Sequence, residues 1–225
     1  MAEVTVRRVK VWDGWIRLFH WSVVMLLAVS WVSIETGNVE VHYLSGYAVL
    51  ALVLFRIAWG VAGSDTARFS RFLRPPMAGL RHLAGFRRRE PDTEIGHNAA
   101  GGWMVLVMLA LLLAQAVTGL FANHEPGFSY DAHGPLALTV SDKTSAWLTG
   151  VHHINFNLIL GAVGLHVLAV VAYQVVKGHD LIGPMVTGFK SLPARMAAPR
   201  MGSPVLAAAF LTAAAVAVWG VSRLG

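Results

Sequence analysis

The sequence predicts an all-α integral membrane protein, a four-helix transmembrane bundle with a further transmembrane helix at the C-terminus. Of its 225 residues, 56% are hydrophobic and only 13% are charged, about half the charged share of a soluble domain. Its mean hydropathy is +0.58. A helix needs about 20 mostly apolar residues to cross the hydrocarbon core of a bilayer. The apolar residues cluster in five such runs, which predict five spans.

The five spans are predicted at about 16–34, 42–62, 99–122, 148–176 and 203–225. The first span follows a basic segment without a cleavage pattern, so we expect it to be retained and not removed as a signal peptide. The connector "RFLRPPMAGLRHLAGFRRREPDTE" after the second span is predicted to contain a short interfacial helix. The loop before the fourth span is long and rich in turn formers, which is typical of functional loops. The fifth span is rich in alanine.

Lysine and arginine predict the orientation of the chain. Of the 18 basic residues, 15 lie in the N-terminal segment and in the loops after the second and fourth spans. The opposite side has only Lys143 and Arg223. Because cytoplasmic loops carry an excess of lysine and arginine, we expect the N-terminus inside and the C-terminus outside. The net charge of +6 is therefore explained by the orientation of the chain in the membrane. Membrane lipid, and not nucleic acid, is the expected partner.

The chain contains no cysteine. This excludes disulfides, thiolate metal sites, iron–sulfur clusters held by this chain and covalent attachment of a c-type haem.

Histidines within the spans indicate a cofactor, because ionisable residues are costly in hydrocarbon. His152 and His166 are 14 residues apart, so they share one helix face and lie about 21 Å apart along its axis, whereas His153 points away. At matching depths we expect His20 to pair with His166 on the inner side and His42 with His152 on the outer side. A tilt of the helices would be needed to bring His20 and His166 to the same depth in the membrane. One histidine at a span end is usually interfacial, but four at matched depths favour two b-type haems with bis-histidine ligation.

Two arginines are predicted to contact the inner haem. Arg56 lies 14 residues after His42, so it shares that face but lies deeper, where an intramembrane arginine needs an anionic partner. A haem propionate is the expected partner. Arg17, three residues before His20, could serve the same haem.

Two further positions are candidates for cofactor contact. Gly46 lies one turn after His42 and would let a flat macrocycle approach the helix, although the same glycine would also allow close helix packing. His97 begins the third span and is either a helix-end residue or part of a quinone site.

Six sequence elements carry a family resemblance. In order, they are "RLFHW" with His20, "HYLSG" with His42, then Arg56, "GHNAAGGW", "TGLF" and "HHINFNLILGAVGLH". No element is specific alone, but the ordered set resembles the bacterial cytochrome b561 and hydrogenase-type cytochrome b family over roughly residues 10–180. The resemblance implies that His20, His42, His152 and His166 ligate two non-covalent b haems. In the doublet, helical phase favours His152 over His153 as the outer ligand.

The resemblance also implies a function, electron transfer across the bacterial inner membrane between a quinone pool and a redox partner. That partner could be a periplasmic cytochrome c, a hydrogenase subunit or a dehydrogenase subunit. An electron-transfer subunit of a respiratory chain is favoured over a stand-alone enzyme. We expect a haem domain at 1–180 and a linker with the extra helix at 181–225. The second part is compatible with assembly with a partner, and the sequence is compatible with a homo-oligomer.

Two other functions compete with this interpretation. A self-contained superoxide:quinone oxidoreductase would use a cationic funnel on its outer face to attract the anion. The scarcity of basic residues on the outer side argues against it. A non-redox transporter with histidine relays would be colourless, and it would more often contain repeats or broken helices.

Overall fold

The computed structural model describes residues 5–87, 92–123 and 132–224. Its elements in chain order are β1 (Val6–Lys10), α1 (Gly14–Glu35), α2 (Val39–Ala62), α3 (Phe69–Phe72), α4 (Pro76–Ala84), α5 (Ala99–Leu120), α6 (Asp142–Ala172), α7 (Ile182–Thr187), β2 (Phe189–Pro193) and α8 (Pro204–Val221). A 3-10 turn at Ala137–Thr139 precedes α6, and a π-helical turn at Tyr173–Lys177 continues it.

Five of these helices are long and apolar enough to cross a membrane, namely α1, α2, α5, α6 with its π-helical turn, and α8. They confirm the predicted all-α membrane architecture. The fourth span begins at Asp142, earlier than predicted, because the helix starts before its apolar run. The predicted connector helix corresponds to α4, which exposes Met77, Leu80 and Leu83. Arg88 and Arg89, counted in the basic loop, lie outside the described residues.

Each span begins at a polar residue that caps the helix. The side-chain oxygen of a cap accepts a backbone N–H of the first turn, which has no partner within the helix. The capping residues are Asp13, Asn38, Asn98, Ser141 and Ser203. Asp13 also accepts a hydrogen bond from Trp59 Nε1 at 3.1 Å, so this cap joins the start of α1 to α2.

The described chain divides into two compact units. The described residues of unit 1 fall within Met1–Leu18, Ile57–Val107 and Val163–Ala207, and those of unit 2 fall within Phe19–Arg56, Met108–Ala162 and Ala208–Gly225.

Unit 1 contains a two-stranded antiparallel ribbon that the sequence analysis did not predict. Strand β1 pairs with β2 in a register that places Val9 opposite Lys190. Side chains alternate between the two faces of a strand, so Val9 and Leu192 share the inner face, where they are 3% and 0% exposed. The ribbon therefore ties the N-terminal segment to the segment after α6.

A second connection in unit 1 holds the segment before α8. The backbone N–H of Arg200 donates to the Asp65 carboxylate at 3.0 Å, and Gly202 N donates to Ser64 Oγ at 2.8 Å. The Arg200 hydrogen bond, together with the nearby Arg68, lowers the pKa of Asp65 below its usual value. Asp65 therefore remains an ionised acceptor at neutral pH.

Unit 2 packs its helices through both polar and apolar contacts. Ser145 Oγ on α6 donates to the Phe121 carbonyl at 2.7 Å. Helix α8 contributes Val218 to a buried apolar cluster with Leu50, Ala51 and Leu120. The fifth span is therefore packed against residues of α2 and α5.

Candidate functional site

Two predicted ligands meet in unit 2. The rings of His42, near the start of α2, and His152, in α6, have centroids 6.2 Å apart. Their planes are inclined by 76°. Both side chains are half-buried. The structure thus brings together the pair that the sequence predicted from depth alone.

A backbone carbonyl of α1 fixes the tautomer of His42. Its Nδ1 lies 2.9 Å from the Ser30 carbonyl oxygen and 3.1 Å from Ser30 Oγ. A carbonyl oxygen only accepts hydrogen bonds, so Nδ1 carries the proton and donates it. The lone pair of the neutral ring is then on Nε2, the nitrogen that can bind a metal.

His152 is held in the same way from another helix. Its Nδ1 donates to the Gln115 carbonyl of α5 at 2.9 Å and lies 3.2 Å from Thr118 Oγ1. Gly119 makes this approach possible, because a Cβ there would lie 3.0 Å from His152 Cε1. In both imidazoles Nε2 is therefore the nitrogen that carries the lone pair.

The spacing of the two rings fits one shared metal ion. An imidazole nitrogen lies ~2 Å from a metal that it binds, with the ring centroid ~1 Å behind, so two rings on opposite sides of one ion have centroids ~6 Å apart. The 6.2 Å between His42 and His152 matches this distance. Haem iron is held by axial side chains of this kind, so the residues present fit a haem.

The two histidines of the doublet differ in solvent exposure. His152 is half-buried beside His42, whereas His153 is exposed on a different face of α6.

A known protein family matches most of the chain. A family model described as "Prokaryotic cytochrome b561" matches residues 11–188, which is more than half of the chain. The chain belongs to the prokaryotic cytochrome b561 family. Cytochromes b561 are membrane proteins that bind b-type haem and act in electron transfer. No curated protein and no solved structure matches the chain.

The second predicted pair of this b561 chain is split between the two units. His20 is half-buried in unit 2, with its ring edge-on to Trp21 at 4.8 Å. His166 is half-buried in unit 1. Their pairing stays a prediction.

The two arginines that are predicted to contact propionates, Arg56 and Arg17, lie in different environments. Arg56 is only 2% exposed within α2. Arg17 Nη1 donates to the Val186 carbonyl at 3.0 Å and so connects α1 with α7. A Cβ at Gly46 would have no heavy atom within 4 Å, so there is open space beside α2 one turn from His42.

His97 is in contact with two aromatic side chains in unit 1. Its ring centroid is 4.8 Å from that of Trp12 and 4.7 Å from that of Phe72. The next residue, Asn98, caps α5 and hydrogen-bonds Tyr173.

Tyr173 is the centre of a second polar cluster, which the sequence analysis did not identify. It lies at the π-helical turn, a distortion that is frequent at functional sites. His82 Nε2 is 2.7 Å from the Tyr173 hydroxyl, and the His179 ring lies 6.4 Å away. His179 Nδ1 is in turn 3.8 Å from a carboxylate oxygen of Asp92.

The sequence analysis also missed Ser30, Gln115 and Thr118, which contact the two rings, and Asn155, which bonds to Gln115. A signal was available for two of them. Gln115 and Asn155 are amide side chains inside apolar spans, where polar residues are uncommon and usually bond to a neighbouring helix.

Proposed function

We propose that this protein is a diheme b-type cytochrome that moves electrons across the membrane between a quinone pool and a redox partner. The observation that carries the proposal is the approach of His42 and His152, whose Nδ1 protons are both donated to backbone carbonyls. Family membership supports the haem and electron transfer.

In this proposal four histidines hold two haems. His42 and His152 would ligate one haem, and His20 and His166 the other. Haem iron, when bound, takes up and gives back one electron at a time. The chain orients the imidazoles of His42 and His152 and fixes their tautomers through the backbone carbonyls of Ser30 and Gln115.

The arginines and Gly46 would contact the rim and face of the haems. Arg56 is buried in a span, and a propionate of the inner haem would pair with its positive charge. Arg17 would contribute from the start of α1. The open space beside Gly46 would allow the macrocycle to lie close to α2.

We infer from the basic loops that the N-terminus is cytoplasmic and the C-terminus periplasmic. Because the chain has no cysteine, an introduced cysteine reports its own side of the membrane. In intact cells, Leu224→Cys should react with a membrane-impermeant maleimide, whereas Arg7→Cys should react only after lysis. The opposite labelling pattern would reverse the orientation.

The first test of the proposal is haem content. The purified wild-type protein should hold two b haems in a pyridine haemochrome assay. His152→Ala and His42→Ala should each lose one haem, because an axial ligand is removed. His153→Ala is the matched control and should retain two. A colourless wild-type protein, or two haems in His152→Ala, would contradict the proposal.

A redox titration tests the role of Arg56. Arg56→Gln should lower one midpoint potential by roughly 60 mV, the equivalent of about 1.4 kcal/mol for one electron, because the buried cation stabilises the reduced and more negative haem. Arg56→Lys keeps the charge and should remain close to wild type. Unchanged midpoints in Arg56→Gln would remove this arginine from the haem site.

Quinol oxidation tests the role of His97. Its position beside the aromatic rings of Trp12 and Phe72 would suit contact with a flat quinone ring and acceptance of a proton. With duroquinol as reductant, His97→Ala should slow haem reduction by about tenfold or more. Reduction by dithionite and haem content should not change. An unaltered rate with duroquinol would place the quinone elsewhere.

A further inference from the structure

Helix α6 is bonded to α5 by a buried amide one turn after the proposed ligand His152. Asn155 is only 6% exposed. Its Nδ2 donates to the Leu111 carbonyl at 2.9 Å and to Gln115 Oε1 at 2.7 Å. A side-chain amide carries two N–H hydrogens, so it can make both bonds at once.

Gln115 connects this amide to the histidine. Its side-chain oxygen accepts from Asn155, while its backbone carbonyl accepts from His152 Nδ1. Leu111 lies one turn before Gln115 on the same helix. Asn155 therefore fixes α6 against α5, both along and around the helix axis, at the turn that holds the imidazole.

The surroundings leave these bonds few alternatives. The neighbouring residues of α5 and α6 are mostly apolar, and water is scarce at the depth of a span. A buried amide that loses its acceptor remains unsatisfied, so the arrangement has one favoured register.

The two imidazole planes are set by different helices. His42 is oriented by Ser30 on α1, and His152 by Gln115 on α5. The 76° angle between the two ring planes therefore depends on how α6 packs against α5.

We propose that Asn155 and Gln115 form a clamp that positions His152 and thereby sets the ligand-plane angle and the potential of the haem held with His42. This proposal rests on the proposed function. Donation from Nδ1–H to a carbonyl makes the imidazole a more basic ligand, which favours ferric iron and lowers the midpoint potential. Nearly perpendicular ligand planes leave two iron d orbitals close in energy, which produces a strongly anisotropic low-spin signal in electron paramagnetic resonance (EPR).

The test compares two asparagines of the same helix. Asn155→Leu removes the donor and keeps the same number and branching of side-chain heavy atoms. Asn157→Leu is the matched control, because Asn157 is exposed and its Nδ2 bonds only weakly to its own helix, at 3.3 Å from the His153 carbonyl. Gln115→Met is a second clamp variant that removes the Oε1 acceptor but keeps the backbone carbonyl. It is the deciding variant if Asn155→Leu does not accumulate.

The readouts are the midpoint potentials from a visible-range titration and the EPR spectrum of the oxidised protein. Both clamp variants should keep two haems, raise one midpoint and move the largest g value of that haem toward that of coplanar imidazoles. Asn157→Leu should match wild type in both readouts.

The outcomes separate the clamp from the function on which it rests. Wild-type midpoints and g values in both clamp variants, with one haem lost in His152→Ala, would overturn the clamp alone. If His152→Ala retained both haems, the ligand assignment and the clamp would fall together.

Discussion

The structure around the proposed haem site depends on one type of interaction, the hydrogen bond from an imidazole Nδ1–H to a backbone carbonyl of another helix. His42 makes it to Ser30 and His152 makes it to Gln115. Because the acceptors have no hydrogen to give, each bond fixes the tautomer as well as the ring plane. The Nε2 atoms of both rings thereby keep the lone pair with which an imidazole binds a metal.

That interaction imposes requirements on the helices that supply the carbonyls. A carbonyl in mid-helix already accepts an intrahelical N–H, so the imidazole must share it and approach closely. Gly119 leaves room for the His152 ring, and the hydroxyls of Ser30 and Thr118 add a second polar atom near each Nδ1. Gly119, Ser30 and Thr118 are therefore explained by the orientation of two rings.

Much of this arrangement can be predicted from patterns in the sequence. Apolar runs predict the spans, and matched depth predicts that His42 meets His152. The partners of the rings are backbone carbonyls, which every residue has, so no residue type reveals that Ser30 and Gln115 supply them. The β1–β2 ribbon was missed for a related reason, because two short, partly basic strands far apart in the chain carry little local signal. The predicted start of α6 was too late in the sequence, because the cap of this helix, and not its hydrophobicity, determines where it begins.

The proposed sites would differ in their electrostatics, and this difference bears on electron transfer. Around His42 and His152 the ligand contacts are neutral groups that make the imidazoles more electron-rich, which favours the oxidised iron. The second proposed haem would lie near Arg56, whose buried charge favours the reduced iron. The two effects act in opposite directions, so we expect the haem near Arg56 to have the higher potential. An electron would then be more stable on that haem, and its transfer there from the His42–His152 haem would be thermodynamically favourable.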